Sequence, residues 1–150
     1  MGINKDHSSK SNSGEIIREE FEHGVVREWL NNRQIVAYTI PSARRQTVDV
    51  WFRIALEVAQ GLSENQLDLS IHDFLSVTGL TPYMQIRSQE LAKATSRTQG
   101  YVAIVLPDSV MGHVARIFVD FRIKQTLQRK TKVFNDRAQA SAWLTEYLPV

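Results

Sequence analysis

The sequence contains one unbroken apolar run, Tyr101–Leu106, which lies between Gly100 and Pro107. Such a run indicates a strand that is buried on both faces, as the central strands of parallel sheets are. Parallel neighbours are joined by crossover connections, which are usually helices. We therefore expect strands to alternate with helices along this chain, and the helices to cover a mostly parallel sheet.

Two strands are predicted near the start of the chain, at Val25–Leu30 and Gln34–Ile40. The link between them contains Asn31 and Asn32, and asparagine tolerates the positive φ that a tight hairpin requires. We expect these strands to pair antiparallel. The second strand has apolar residues on both faces, which indicates that it is covered on both sides.

Residues Gln66–Leu75 alternate in polarity and predict a further strand. The pattern places Leu67, Leu69 and Ile71 towards the core. It places the polar residues between them towards solvent, namely Asp68, Ser70 and His72. A short last strand is predicted at Thr131–Phe134.

Four segments have the three-and-four spacing of apolar residues that is typical of helices. We expect them to begin at Thr47, Thr81, Asp108 and Asp136, because each of these residue types favours a helix N-terminus. Gly61 is expected to end the first helix. The predicted fold class is α/β, with the order β-β-α-β-α-β-α-β-α, a mostly parallel sheet and an antiparallel N-terminal hairpin.

The length of 150 residues is typical of one domain. Residues 1–14 are polar and cannot bury much surface, so we expect a flexible tail over residues 1–20 and a single domain over residues 21–150. The segment 15–21 is expected to form a short helix or a loose lead-in. The sequence has no cysteine, no apolar leader and no run long enough to span a membrane, which favours the cytoplasm.

The net charge of +2 is too small to indicate nucleic-acid binding by itself. One stretch near the end of the chain is nonetheless basic throughout. It contains Arg122, Lys124, Arg129, Lys130 and Lys132 without an acidic residue. This patch could bind an anionic partner, although cations at the end of a helix also complement the helix dipole.

The residues offer little for catalysis. His72 and Asp73 could form a general base with its carboxylate, but adjacent residues of a strand point to opposite faces. The four histidines do not have the spacing of a metal site. We therefore expect no enzyme, no metal and no cofactor.

The order of elements from Val25 to Leu148 resembles the STAS superfamily, the fold of anti-sigma-factor antagonists and of the cytoplasmic domains of sulfate transporters. The likeness is clearest in the last third, which reads YVAIVLP, VMGHVARIFVDF, KVFND and RAQASAWLTEYL. In an uncharacterised branch of the superfamily, a strand ending in Val-Phe and an Ala-x-x-Trp-Leu helix close the domain. Ala140, Trp143 and Leu144 match that helix. The resemblance implies a non-enzymatic regulatory module that binds a protein partner.

The functional loop of the antagonists reads Asp-Ser-[Ser/Thr]-Gly, and its serine is phosphorylated by a partner kinase. Here Ser76-Val77-Thr78-Gly79 occupies that place, and Val77 stands at the acceptor position. A slip of one residue in the alignment would make Thr78 or Ser76 the phosphoacceptor. The resemblance therefore implies a docking module without the usual phosphoserine switch.

We expect a partner to dock on this loop and on the start of the following helix, where free backbone N–H groups and hydroxyls are available. An exposed Tyr-Met pair beside them would suit a protein interface. The candidate residues are Ser76, Thr78, Gly79, Thr81, Tyr83 and Met84. The alternative is a small-ligand or lipid binder with an apolar pocket between helices and sheet, and a nucleic-acid partner is not expected.

Overall fold

The computed structural model describes residues 15–109 and 129–149. Within these ranges six strands form one sheet, in which their spatial order follows the sequence: β1 Ile17–Glu20, β2 Val26–Leu30, β3 Ile35–Thr39, β4 Asp68–Asp73, β5 Gly100–Val105 and β6 Arg129–Phe134. Strands β1 to β3 pair antiparallel, and β3 to β6 pair parallel. The predicted α/β class, with a mostly parallel sheet and an antiparallel N-terminal part, is confirmed.

Helices cover both faces of the sheet. Helix α1 spans Arg45–Gly61, α2 spans Pro82–Ala94 and α3 spans Arg137–Thr145. Helices α1 and α2 pack on one face, where Trp51 and Met84 join the larger apolar core. Helix α3 packs on the other face through Ala140 and Leu144. The helix predicted to begin at Asp108 falls almost entirely outside the described residues.

The central strands are apolar on both faces, as predicted. In β3, Val36 and Tyr38 belong to the core beneath α1 and α2, whereas Ile35 and Ala37 belong to the core beneath α3. Strand β5 lies between β4 and β6 and pairs with both. A strand that has neighbours on both edges and packs into a core on each face buries both rows of its side chains, which explains its continuous apolar run.

The first strand was not predicted. The segment 15–21 was expected to be a short helix or a loose lead-in, and residues up to 20 were assigned to the flexible tail. Ile17–Glu20 instead pairs with β2, and Glu19 accepts hydrogen bonds from Arg27 at 2.7 Å and from Trp29 at 2.7 Å. These partners lie on another strand, so no local pattern within 15–21 indicates them. Residues 1–14 of the predicted tail lie outside the described residues.

Two of the three described helix starts agree with their predicted caps. The Thr81 hydroxyl accepts from the N–H of Met84 at 3.1 Å, and the Asp136 carboxylate accepts from the N–H groups of Ala138 and Gln139. The prediction of Thr47 as a cap is wrong, since α1 begins at Arg45. Thr47 is buried within the first turn, where it hydrogen-bonds the Ser42 hydroxyl.

The hairpin between β2 and β3 has the positive φ values that were predicted at its asparagines. Asn31 and Asn32 have φ values of 50° and 57°. Arg33 follows with φ at 67°, although arginine has no particular tolerance for this region. The short connection sets the register in which Leu30 pairs with Ile35.

A glycine is required where β5 begins. A Cβ on Gly100 would overlap the backbone carbonyl of Asp68 on β4, whereas a Cβ on Gly61 would meet nothing within 4 Å. We expect Gly100→Ala to lower the free energy of unfolding by roughly 1–3 kcal/mol, the usual range for overpacking. Gly61→Ala, the matched control at the end of α1, should leave stability unchanged or raise it slightly. Urea unfolding of both variants tests this, and equal midpoints would contradict it.

Candidate functional site

A cavity lies between the sheet and helices α1 and α2. Its volume is about 70 Å³. Most of its wall is apolar, and the helices contribute several small residues to it, among them Ala55 and Ala59 of α1 and Ala92 of α2. Larger apolar side chains complete the wall: Trp51, Val58, Phe74, Leu80, Met84, Leu91, Val102, Ile104 and Leu106. The arrangement leaves room above the sheet because alanines stand where larger residues would fill the space.

A row of polar side chains on β4 forms part of the cavity floor. Asp68, Ser70 and His72 are 5%, 2% and 7% exposed, and all three line the cavity. They were predicted to face solvent, and that prediction is wrong. Helices α1 and α2 cover this face, while Leu69 and Ile71 face α3 on the other side. Leu67, predicted to face the core, precedes the strand and is 40% exposed.

The polar row forms a chain of hydrogen bonds that all run in one direction. The Trp51 indole N–H donates to Nδ1 of His72 at 3.0 Å. Nδ1 therefore carries no proton, and the neutral ring has its proton on Nε2. Nε2 lies 3.2 Å from the Ser70 hydroxyl oxygen, and Ser70 hydrogen-bonds the Asp68 carboxylate. Tyr38 stacks on the His72 ring with centroids 5.0 Å apart.

The chain of hydrogen bonds along β4 ends at a buried ion pair between Asp68 and Arg129. Their side chains are 6% and 10% exposed. Asp68 on β4 pairs in register with Gly100 on β5, which pairs with Arg129 on β6, so the ion pair crosses β5 where it has no side chain. Arg129 also donates to the backbone carbonyl of Thr95 at 3.2 Å. Burial raises the pKa of Asp68, and the charge of Arg129 and the Ser70 hydrogen bond act against that shift.

This position of Arg129 corrects the predicted basic patch. The Arg129 guanidinium is neutralised beneath the surface and is not available to an external anion. Lys130 and Lys132 are exposed on β6. Arg122 and Lys124 lie outside the described residues. The patch therefore keeps two described residues at the surface, and its role stays a prediction.

Two buried hydroxyls that line the cavity have no hydrogen-bond partner within the described parts of the chain, and neither does the half-buried hydroxyl of Thr131. Tyr38 is 2% exposed and Ser88 is 7% exposed. Burial raises the pKa of Tyr38 above its usual value, and the nearby Asp68 acts in the same direction. The phenol therefore stays protonated and can donate a hydrogen bond. Sequence reasoning missed both residues: a tyrosine inside IVAYTI was a usable signal, whereas nothing local marks Ser88.

The predicted docking segment divides between surface and interior. Ser76 and Thr78 are exposed, and Gly79 and Thr81 are half-buried. Met84 is 1% exposed and lines the cavity, so its side chain does not belong to a docking surface as predicted. Its position in α2 turns it towards the sheet, where it packs in the core.

Tyr83 does not form a surface pair with Met84 either. It is half-buried, its hydroxyl donates to Asp49 of α1, and the Arg45 guanidinium lies 4.1 Å from its ring centroid. The hydrogen bond to Asp49 raises the pKa of the Tyr83 phenol. The first turns of α1 and α2 are therefore joined by these charged and aromatic side chains.

His72 and Asp73 point to opposite faces, as their adjacency on a strand requires. Asp73 accepts from the N–H of Leu75 at 2.9 Å and from Arg137 of α3 at 3.3 Å. Among residues 15–109 and 129–149, no group of three or more His, Asp or Glu could hold a metal ion. In the same ranges no helix has the length and apolar character needed to cross a membrane.

No family model and no curated protein sequence matches the chain. Among solved structures, it is similar to the crystal structure of an uncharacterised protein of the DUF3478 family with a SpoIIAA-like fold, from Shewanella loihica PV-4. The two chains are 15% identical, and the match covers 93% of this chain and 99% of that one with a TM-score of 0.55. At this identity the likeness concerns the fold. The chain therefore has a SpoIIAA-like fold, which is the STAS-type fold that its order of elements predicted.

Proposed function

We propose that this chain is a non-catalytic STAS-type module that binds a small ligand in the cavity beneath α1 and α2. The observation that carries the proposal is a pair of buried residues, Tyr38 and Ser88, whose hydroxyls line the cavity without a hydrogen-bond partner among residues 15–109 and 129–149. A buried polar group without a hydrogen bond costs about 1–3 kcal/mol. A molecule in the cavity that hydrogen-bonds both hydroxyls would remove that cost.

The composition of the cavity supports this proposal. Small-molecule sites are concave and mainly apolar, with a few polar groups that orient the ligand. This cavity has that character, and its volume of about 70 Å³ exceeds the roughly 10–15 Å³ that one water molecule needs. The space is therefore larger than a single structural water would occupy.

The proposal of a non-catalytic role rests on the partners of the titratable groups. The ring of His72 accepts from Trp51 on one side and contacts Ser70 on the other, and Asp68 is paired with Arg129. A general base needs a lone pair that can reach a substrate proton. The candidate bases in the cavity are instead engaged with neighbouring side chains, so binding is the simpler role.

A second candidate function is the docking of a protein partner on the segment 75–81. The specific observation is that Leu75 is 40% exposed and stands next to the exposed Ser76 and Thr78. Docking through this segment is the role that the STAS resemblance implies, without the phosphoserine switch because Val77 stands at the acceptor position and is 4% exposed. A regulatory role in the cytoplasm stays a prediction with it.

Filling the cavity tests the first proposal. We expect Ser88→Leu to abolish ligand binding, because its side chain would occupy the space above the sheet. Gln89→Leu is the matched control, since Gln89 is an exposed neighbour on the same helix. Native mass spectrometry of freshly purified protein should show a bound small molecule with the unaltered chain and with the control, and the bare mass with Ser88→Leu. The bare mass for all three proteins would contradict the proposal.

Removing the phenol hydroxyl separates binding from stability. Because the Tyr38 hydroxyl has no described partner, Tyr38→Phe should leave the free energy of unfolding of the ligand-free protein unchanged or raise it by up to about 3 kcal/mol, and it should weaken binding of the co-purified molecule several-fold. Trp51→Phe is the comparison variant. It removes the donor to His72, so it should lower the free energy of unfolding by roughly 1–3 kcal/mol. Urea unfolding and calorimetric titration give the two readouts. Tyr38→Phe that binds as tightly as the unaltered chain would count against the site.

The docking candidate has its own test. We expect Thr78→Asp to abolish capture of a protein partner from a cell extract, because a charge would be added at the centre of the exposed segment. Ser63→Asp is the control, since it adds the same charge at an exposed position after α1. Both variants should unfold at the same urea concentration as the unaltered chain. Recovery of the same partners by Thr78→Asp would refute docking at this segment.

A further inference from the structure

We infer that the ligand of the cavity is an uncharged molecule with an apolar body and one hydrogen-bonding head group, of the kind an alcohol, ketone or amide provides. The inference rests on the proposed function, because it specifies the chemistry of the same site. Three features of the cavity support it: the neutralised charges, the Tyr38 and Ser88 hydroxyls without a partner among the described residues, and the mainly apolar wall.

The described lining of the cavity offers no free charge. Of its residues, Asp68 and Arg129 are the ionised ones, and they form an ion pair with each other. His72 accepts a hydrogen bond on Nδ1, as its neutral ring does. A ligand carboxylate near this pair would be repelled by Asp68 as well as attracted by Arg129, and a ligand ammonium would be repelled by Arg129 as well as attracted by Asp68. Each would lose its hydration without gaining an unpaired opposite charge, which is unfavourable in a buried site.

The Tyr38 and Ser88 hydroxyls determine which head group the ligand can carry. Tyr38 and Ser88 can each donate one hydrogen bond and also accept. Tyr38 lies on β3 and Ser88 lies on α2, so the two hydroxyls belong to opposite sides of the cavity. A neutral oxygen with lone pairs can accept from one or both of them without bringing a charge into the interior.

The apolar lining of the cavity determines the character of the rest of the ligand. Most of the remaining lining is aliphatic or aromatic, including Trp51, Leu91 and Ile104. Its other polar residues are uncharged, namely Gln85, Ser88, Thr95 and Thr131. Apolar surface removed from water contributes roughly 25 cal/mol for each Å². Affinity would therefore come mainly from the apolar body, and the head group would decide its orientation.

Three probes with the same apolar chain test the inference: 1-hexanol, hexanoate and hexylammonium, each titrated into the unaltered protein at pH 7. The indole N–H resonance of Trp51, assigned by its loss in Trp51→Phe, reports binding because Trp51 lines the cavity. We expect hexanol to bind with a Kd at least tenfold below those of both ions. An ion that binds as tightly as hexanol overturns the inference and leaves the proposed function standing. If none of the three shifts the resonance and the protein purifies with a bare mass, the proposed function itself fails.

Removing the negative charge of the Asp68–Arg129 ion pair gives a second test of the preference for an uncharged ligand. Asp68→Asn keeps the shape of the side chain and leaves Arg129 as an unpaired cation, so hexanoate should gain at least tenfold in affinity relative to hexanol. Asp136→Asn is the control, because it removes a carboxylate at the exposed start of α3, away from the cavity lining. An unchanged preference in Asp68→Asn would overturn the view that the paired charges exclude ionic ligands. If this variant does not fold, the probe series on the unaltered chain decides the question.

Discussion

A chain of hydrogen bonds along β4 holds the cavity side of the sheet together. It passes from Trp51 to His72, then to Ser70 and to Asp68, where Arg129 neutralises the final carboxylate. Burying these groups singly would be costly, since each would lose its contacts with water. Because each donor meets an acceptor, the row can lie beneath two helices. Removing one member of such a buried ion pair typically costs about 3–5 kcal/mol, because the other charge is left buried and unpaired.

The same arrangement separates the cavity from the rest of the core. On the α3 side, Ile35, Ile71, Ala103 and Leu144 pack without polar groups between them. On the other side the polar row and the alanines of α1 and α2 leave a space that the Tyr38 and Ser88 hydroxyls reach. A closely packed interior normally satisfies its polar groups, so a cavity with two hydroxyls that have no partner among the described residues supports the proposal of a bound ligand. Leu80 and Met84 line this cavity a few residues after the exposed Ser76 and Thr78, so a ligand and a docking partner would both contact the segment that leads into α2.

Much of the fold could be predicted because its evidence is local. The double-faced apolar pattern of β3, the run in β5, and the caps at Thr81 and Asp136 each depend on residues close together in the chain. The site could not be predicted in the same way. The alternation in β4 indicated the strand correctly, but a polar residue on a strand looks the same whether it faces solvent or a buried partner. Arg129 appeared as one cation among several, since its partner Asp68 lies 61 residues away.

By itself, the sequence determined the class of fold, the positions of the central strands and the starts of two of the three described helices, because apolar periodicity and capping preferences act over a few residues. Tertiary structure decided which face of β4 the helices cover, that Ile17–Glu20 joins the sheet through β2, and that Met84 and Arg129 lie inside. It also decided that Tyr38 and Ser88 line the same cavity. These outcomes depend on pairing between distant segments. Residues far away in the sequence decide which side chains are buried and which charges are neutralised, and no local pattern indicates them.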